Sequence, residues 1–353
     1  MSKSRILLVA CVLAAVAFLA TSCKKNEEKA SALITTSALQ ADNDDRVYID
    51  FSDSNRLKWN GGDRIMVYNF NLQKPKRTEV VEWRAGREAE GQTTAWFEGP
   101  FVSPPQSDEG LHFIYPAQMT SSSVDDENRI TITVDDMQRY TELKTANNSI
   151  ITTIQPGTLF QWAQSENKDF SLNSVFGVAR IYMVGNKEVA KIELDDNDRS
   201  LAGSAKLSLP DFDLATLVAY FQAYKNGAIS YLDLYDYLSD MLSYYPMPTG
   251  YTMTLNCANY TNANGVVQTG VQLTNPDPKS FFIVLRPGAL SKGFTVRVYF
   301  TDHTGVTIDQ YANTDYLENP RKFCIIPGRI QAIHFRDENG SEKPVEEFEE
   351  FTW

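Results

Sequence analysis

The chain has 353 residues, 42% of them hydrophobic and 12% aromatic, which is long for one sandwich domain and fits two domains with a leader and a sizeable core. Charged residues make up 22% and the net charge is −12, a balance that excludes nucleic acid as a partner, because phosphate binding rests on Lys and Arg displacing counterions. The composition also excludes collagen, a coiled coil, a wholly disordered chain and a multi-span membrane protein, since only one long apolar run occurs.

That run, residues 6–20, follows Lys3 and Arg5 and leads into Thr21-Ser22-Cys23-Lys24-Lys25. A basic start, a short apolar stretch and small residues at the end predict a signal peptide over residues 1–22. A membrane anchor helix would need roughly 20 apolar residues and a clean stop. Cys23 stands where the run ends, so its thiol can be diacylated and its freed amine acylated, and the pattern resembles a bacterial lipobox, with Ala20 where Leu is usual and Leu19 one position upstream. Several acyl chains at ~0.8 kcal/mol per buried CH₂ would hold the protein permanently in outer-membrane lipid. Asn26-Glu27-Glu28 resembles the acidic signal that sends Bacteroidetes lipoproteins to the outer face of the cell. Without the leader the chain loses Lys3 and Arg5 and stands at −14.

Residues 23–45 read as a lipidated tether with one apolar patch, 32–36, as a candidate first strand. From residue 46 to 164 short runs alternate with the period of two expected of half-buried strands. Arg56-Leu57-Lys58-Trp59 and Arg64-Ile65-Met66-Val67-Tyr68 flank Asn60-Gly61-Gly62-Asp63, which predicts a hairpin. Further strands are expected at 94–97, 111–115 and 130–134. The polar stretch 164–169 marks a boundary, after which 165–335 repeats the style with strands at 175–184, 189–194, 205–209, 252–257, 266–273, 281–285, 294–300 and 323–335, the last broken at Pro327-Gly328. Within it, over 210–245, the period changes. Leu214, Leu217, Val218 and Phe221 make one helical stripe, Asn226-Gly227 stops it, and Leu234, Leu238, Met241, Leu242 and Tyr245 make another, which predicts an inserted helical hairpin. Residues 336–353 form an acidic tail.

Candidate sites are few. Cys257 and Cys324 are the only thiols left beyond the leader and Cys23; they can pair in an oxidising compartment, or serve as small hydrophobes in the apolar runs that hold them. His112, His303 and His334 are too scattered to predict a metal triad, and Asp125-Asp126-Glu127 and Asp195-Asp196-Asn197-Asp198 lack the order of a calcium loop and read as solvated turns. No metal or other cofactor is expected. Trp59, Trp83, Trp96 and Trp162 could form a sugar-stacking platform, but the alternation around Trp59 and Trp96 predicts core positions for both. Tyr220, Tyr224, Tyr231, Tyr235, Tyr237, Tyr244 and Tyr245 crowd the helical segment, where they either bind a partner or cap the end of a sandwich. The chain has no G-x-S-x-G, Walker A, HExxH or Rossmann pattern, so no enzymatic activity is expected.

Several segments together resemble the fimbrillin-like surface lipoproteins of Bacteroidetes. The run from Leu57 through Trp59, Gly62-Asp63 and Ile65 to Val67-Tyr68 is similar to that family's W-x-x-G-D-x-I-x-V-Y opening, and Tyr115-Pro116 to its Y-P. Residues 170–182 with Ile192-Glu193-Leu194 and Leu201-Ala202-Gly203 resemble the start of its second domain. Phe281-Phe282-Ile283-Val284-Leu285-Arg286-Pro287-Gly288 and Gly293-Phe294-Thr295-Val296 look like its F-x-x-V-x-P-G…G-F-T-V segment. The resemblance spans residues 46 to 335 and departs from the family in the helical insertion and the acidic tail. It implies an all-β chain of two tandem transthyretin-like β-sandwich domains, acting in cell adhesion or as a fimbrial subunit at the cell outer membrane, with other pilin subunits or host surface ligands as partners. It also implies that the first strand fills a groove until an Arg-specific protease cuts at Arg46 and a neighbouring subunit donates a replacement strand. The tail from Val345 is the obvious donor, but Val345, Phe348 and Phe351 recur every third residue, and a strand would split them between its faces. The alternative reading is a carbohydrate- or peptide-binding surface lipoprotein for nutrient capture.

Overall fold

The computed structural model describes residues 32–33, 48–50, 56–59, 61–70, 79–89, 91–92, 94–100, 102, 110–121, 124–144, 148–155, 157–166, 169–196, 201–209, 212–244, 252–290, 293–309, 323–337 and 339–353. The signal peptide, Cys23, Arg46, Tyr245 and most of the tether lie outside them. β-strands predominate among the described residues, which also hold two α-helices, and of these helices none is long and apolar enough to cross a membrane.

Two large sheets carry the fold. The first has six strands in the order Asn173–Ser174, Gln161–Ser165, Leu111–Tyr115, Arg64–Asn69, Glu79–Ala85 and Phe97–Glu98, all antiparallel. Its central strands are near-continuous apolar runs: Ile65 to Asn69 are all buried, as are Leu111 to Tyr115, so these strands are covered on both faces. The second has seven strands. Along its main path run Met137–Arg139, Thr252–Asn256, Glu188–Asp196, Phe294–Phe300, Thr304–Asp309 and Glu349–Thr352, and Val271–Gln272 pairs with the start of Glu188–Asp196. Here burial alternates along Glu188–Asp196 and Phe294–Phe300, as expected where one face meets the core and the other meets water. Two three-stranded sheets complete the core: Lys279–Leu285, Gly177–Met183 and Ile330–His334, and Leu242–Tyr244, Gly203–Ser208 and Arg129–Val134.

The ladders cross residue 165. Arg129–Val134 pairs with Gly203–Ser208 over six residues, Met137–Arg139 pairs in parallel with Thr252–Asn256, and Asn173–Ser174 joins the six-stranded sheet. Side chains follow: the Trp162 and Phe212 rings meet edge to face at 4.9 Å. The expected hairpin at Asn60-Gly61-Gly62-Asp63 does not form. Arg56–Lys58 pairs instead with Tyr48–Asp50, and Arg64–Asn69 pairs with Glu79–Ala85 and Leu111–Tyr115. The turn is an arch between sheets. Gly62 takes φ +96°, its N–H donates to the Ala85 carbonyl, and Trp59 bridges Gln92. An isolated turn motif cannot distinguish an arch from a hairpin, because which strand pairs with which is settled by burial of the flanking runs.

Candidate functional site

Helix α1, Leu214–Lys225, and helix α2, Tyr231–Met241, lie in the chain between strands Gly203–Ser208 and Leu242–Tyr244. Asp213 caps α1, its carboxylate accepting the Ala215 and Thr216 amides, and Asn226 with Gly227 at φ +76° ends it. Ser230 and Asp233 cap α2 reciprocally: the Ser230 N–H donates to the Asp233 carboxylate and the Asp233 N–H to the Ser230 hydroxyl. Leu214, Leu217, Phe221 and Tyr224 of α1 and Leu234 and Leu238 of α2 are buried in the common core.

The tyrosines divide between the two roles open to them. Tyr224 is buried, while Tyr220, Tyr231 and Tyr237 are half-buried against the core. Tyr220 and Tyr237 stack across the two helices, with centroids 4.0 Å apart and planes 8° from parallel. Burial pushes the Tyr237 phenol up to about 12, with the charge of Asp213 and the neighbouring Tyr220 adding to it, so this hydroxyl stays protonated and serves as a neutral donor. Tyr235 faces water at 54% exposure beside Leu232 at 67%; spaced i, i+3 they share one helix face. That pair is the accessible part of the cluster. The Tyr244 backbone closes the strand that follows α2.

A second aromatic group, drawn from residues far apart in the chain, lies on the outer face of the seven-stranded sheet. The tail is the edge strand there, with Thr304 opposite Thr352 and Gly305 opposite Phe351. A side chain on Gly305 would strike the Phe351 ring, so glycine makes room for it. Tyr299 meets Phe351 and Trp353 edge to face, both at 5.3 Å, and Lys191 sits 3.9 Å above the Tyr299 ring. The Tyr299 hydroxyl donates to Glu193 at 2.6 Å. Burial pushes this phenol up to about 12, helped by the hydrogen bond to Glu193 and its charge. Trp353 is about half exposed. Only the pairing register brings residues 299 and 353 together; the sequence holds no sign of it.

The remaining candidates are structural. Cys257 and Cys324 are both buried and are not joined to each other in a disulfide, and burial pushes the Cys257 thiol well above its ordinary range. Asp125 closes a turn: burial opposes its charge, but hydrogen bonds from Lys206 and from the backbone and side chain of Arg129 prevail and hold its carboxyl well below the usual range. Among the described residues no group of His, Cys, Asp and Glu is placed to hold a metal ion. Trp59, Trp83 and Trp162 are buried, but Trp96 is 42% exposed. The core expectation for Trp96 fails because Ala95 is buried and Phe97 packs on Trp59, which turns the residue between them outward.

No known family profile matches the sequence, and no curated protein matches it. Among solved structures, the chain resembles a protein from Bacteroides ovatus ATCC 8483 proposed to act in cell adhesion, with a TM-score of 0.45, 12% identity, and coverage of 93% of this chain and 99% of that one. It also resembles a fimbrial protein from Bacteroides ovatus ATCC 8483, with a TM-score of 0.32, 8% identity, and coverage of 91% and 50%. The tip fimbrial protein Mfa3 from Porphyromonas gingivalis gives a TM-score of 0.29, 11% identity, and coverage of 92% and 100%.

Proposed function

We propose that the chain is a surface-anchored fimbrillin-like protein that acts in cell adhesion or as a fimbrial subunit. On this reading Cys23 is lipidated and the body comprises two tandem transthyretin-like sandwiches, one around the six-stranded sheet and one around the seven-stranded sheet, with α1 and α2 inserted in the second. The observation that carries it is the pairing of Ala32–Leu33, antiparallel, with Thr94–Ala95. A two-residue ladder is held by only a few main-chain hydrogen bonds, each a net contribution of about 1 kcal/mol, so it is the kind of strand that another can replace. Arg46 lies between it and the body, where a cut would free it. Tyr235 and Leu232 on α2 then offer an accessible apolar face for a pilin subunit or a host surface ligand.

The experiment is to treat the purified mature protein with an Arg-specific protease and follow it by size and electron microscopy. Cleavage after Arg46 followed by heat-resistant polymers is the expected result. Clean cleavage that leaves only monomers would overturn the fimbrial-subunit reading.

A further inference from the structure

A cavity of about 280 Å³ opens between the end of α1 and the strand Ile330–His334, lined by Gln222, Lys225, Cys324, Ile326, Arg329, Ile330 and Gln331. Gln222 and Lys225 are spaced i, i+3 and share one helix face. Arg329 sits just ahead of the strand, and Ile330 and Gln331 are its first two residues. The described lining carries two positive charges and no negative one. Neither Lys225 nor Arg329 forms an ion pair among the described residues, in a chain whose net charge is −12. The Arg329 backbone is fixed from both sides, its N–H donating to the Ile326 carbonyl at 3.1 Å and its carbonyl accepting the Val178 N–H at 3.0 Å. The guanidinium therefore starts from a rigid strand end.

We propose that this cavity binds a carboxylated monosaccharide, free or at the end of a glycan chain. A guanidinium and an ammonium on opposite walls suit one carboxylate, the former in its two-bond fork. The volume is several times the roughly 30 Å³ share of a water molecule, so a bare acetate or phosphate would leave it mostly unfilled and one sugar ring would not. The two amides each offer donors and an acceptor for ring hydroxyls, Gln331 having already committed one N–H to the Ala332 carbonyl. Ile326 and Ile330 supply apolar surface for the ring's C–H face. Long-range repulsion from the acidic body disfavours a polyanion, whose other charges would lie outside the cleft, whereas a single carboxylate is held at contact distance. The inference goes beyond the adhesion reading and stands whether or not the chain polymerises.

The test is ligand-observed NMR and calorimetry on the mature full-length chain with glucuronate, glucose and acetate as probes, all at fixed ionic strength. Glucuronate should bind at least about tenfold more tightly than glucose or acetate, the usual worth of a charge-assisted contact added to a filled cleft. Arg329→Gln and Lys225→Gln, both exposed positions that leave the fold intact, should each weaken glucuronate by about tenfold. Absence of glucuronate binding, equal binding of acetate, or binding that both variants retain would each overturn the proposal.

Discussion

His112 is a buried imidazole with its protonation state set by its neighbours. Trp162 Nε1–H donates to His112 Nδ1 at 3.3 Å, the Phe70 ring lies edge-on at 5.3 Å, and His112 Nε2 has no hydrogen-bond partner among the described residues. Burial lowers its pKa from 6.5 to about 4. A proton on Nδ1 would face the Trp162 N–H donor, so the folded state resists protonation while the unfolded chain accepts it. Stability is therefore full above the unfolded value and falls as pH drops from 6.5 through 4, by at most about 3 kcal/mol. Denaturant titrations at stepped pH should show this slope, and His112→Phe should remove most of it; an unchanged slope would show that other groups govern acid unfolding. Glu142 makes a second buried polar node, accepting hydroxyls from Tyr140 at 3.1 Å and Tyr260 at 3.4 Å and pairing with Lys279 at 3.4 Å. Glu142→Ala should cost about 3 kcal/mol by stranding these donors, whereas Glu142→Gln should recover much of that loss in thermal melts.

At the scale of elements, α1 and the exposed face of α2 do different work. Phe221 is fully buried, so Phe221→Ala should cost about 3–5 kcal/mol. Leu232 and Tyr235 are exposed, and replacing both with Ser should change stability by no more than about 0.5 kcal/mol while reducing cell adhesion. Equal adhesion by wild type and the double variant would leave the helices as a cap alone. The tail answers the question raised by its three-residue spacing. Val345 is fully buried and starts a 3₁₀ turn, Phe348 packs on Phe335, and the strand begins only at Glu349. The turn resets the phase, so residues a strand would have split are each packed. Glu346 locks it in place by accepting the Asn186 and Lys187 amides. Deleting residues 345–353 should remove about 2 kcal/mol or more through Val345 alone and uncover the Thr304–Asp309 edge, giving a lower Tm and aggregation on light scattering.

For the whole molecule, the ladders that cross residue 165 decide how it comes apart. A protease that nicks the polar stretch 164–169 should leave the two fragments associated on a native column, because Arg129–Val134 and Gly203–Ser208 remain paired along six residues. Fragments that separate without denaturant would show that each large sheet folds independently. The fully buried aromatic side chains, among them Tyr68 and Phe113 in the six-stranded sheet and Phe294 and Phe300 in the seven-stranded sheet, make burial of apolar area the main driving force in both sheets.

Local pattern determined much of this. Short apolar runs located Arg64–Asn69 and Leu111–Tyr115, and period-two alternation located Glu188–Asp196, Thr252–Asn256 and Phe294–Phe300, because each strand must turn apolar residues to a core wherever it sits. The change to a helical period, with Asn226-Gly227 as a stop, likewise placed α1 and α2, although Leu242, expected on the second helix, instead begins a strand paired with Gly203–Ser208. What the sequence left open was partnership. Whether Arg56–Lys58 pairs with Arg64–Asn69 or with Tyr48–Asp50, whether Trp96 faces in or out, and whether the tail is free or an edge strand all depend on residues far away in the chain. Hydrogen-bonded ladders are satisfied equally well by many partners, and only the simultaneous burial of every apolar face selects one set. For the same reason Trp353 beside Tyr299, and Lys225 opposite Arg329 across one cavity, belong to the tertiary structure alone.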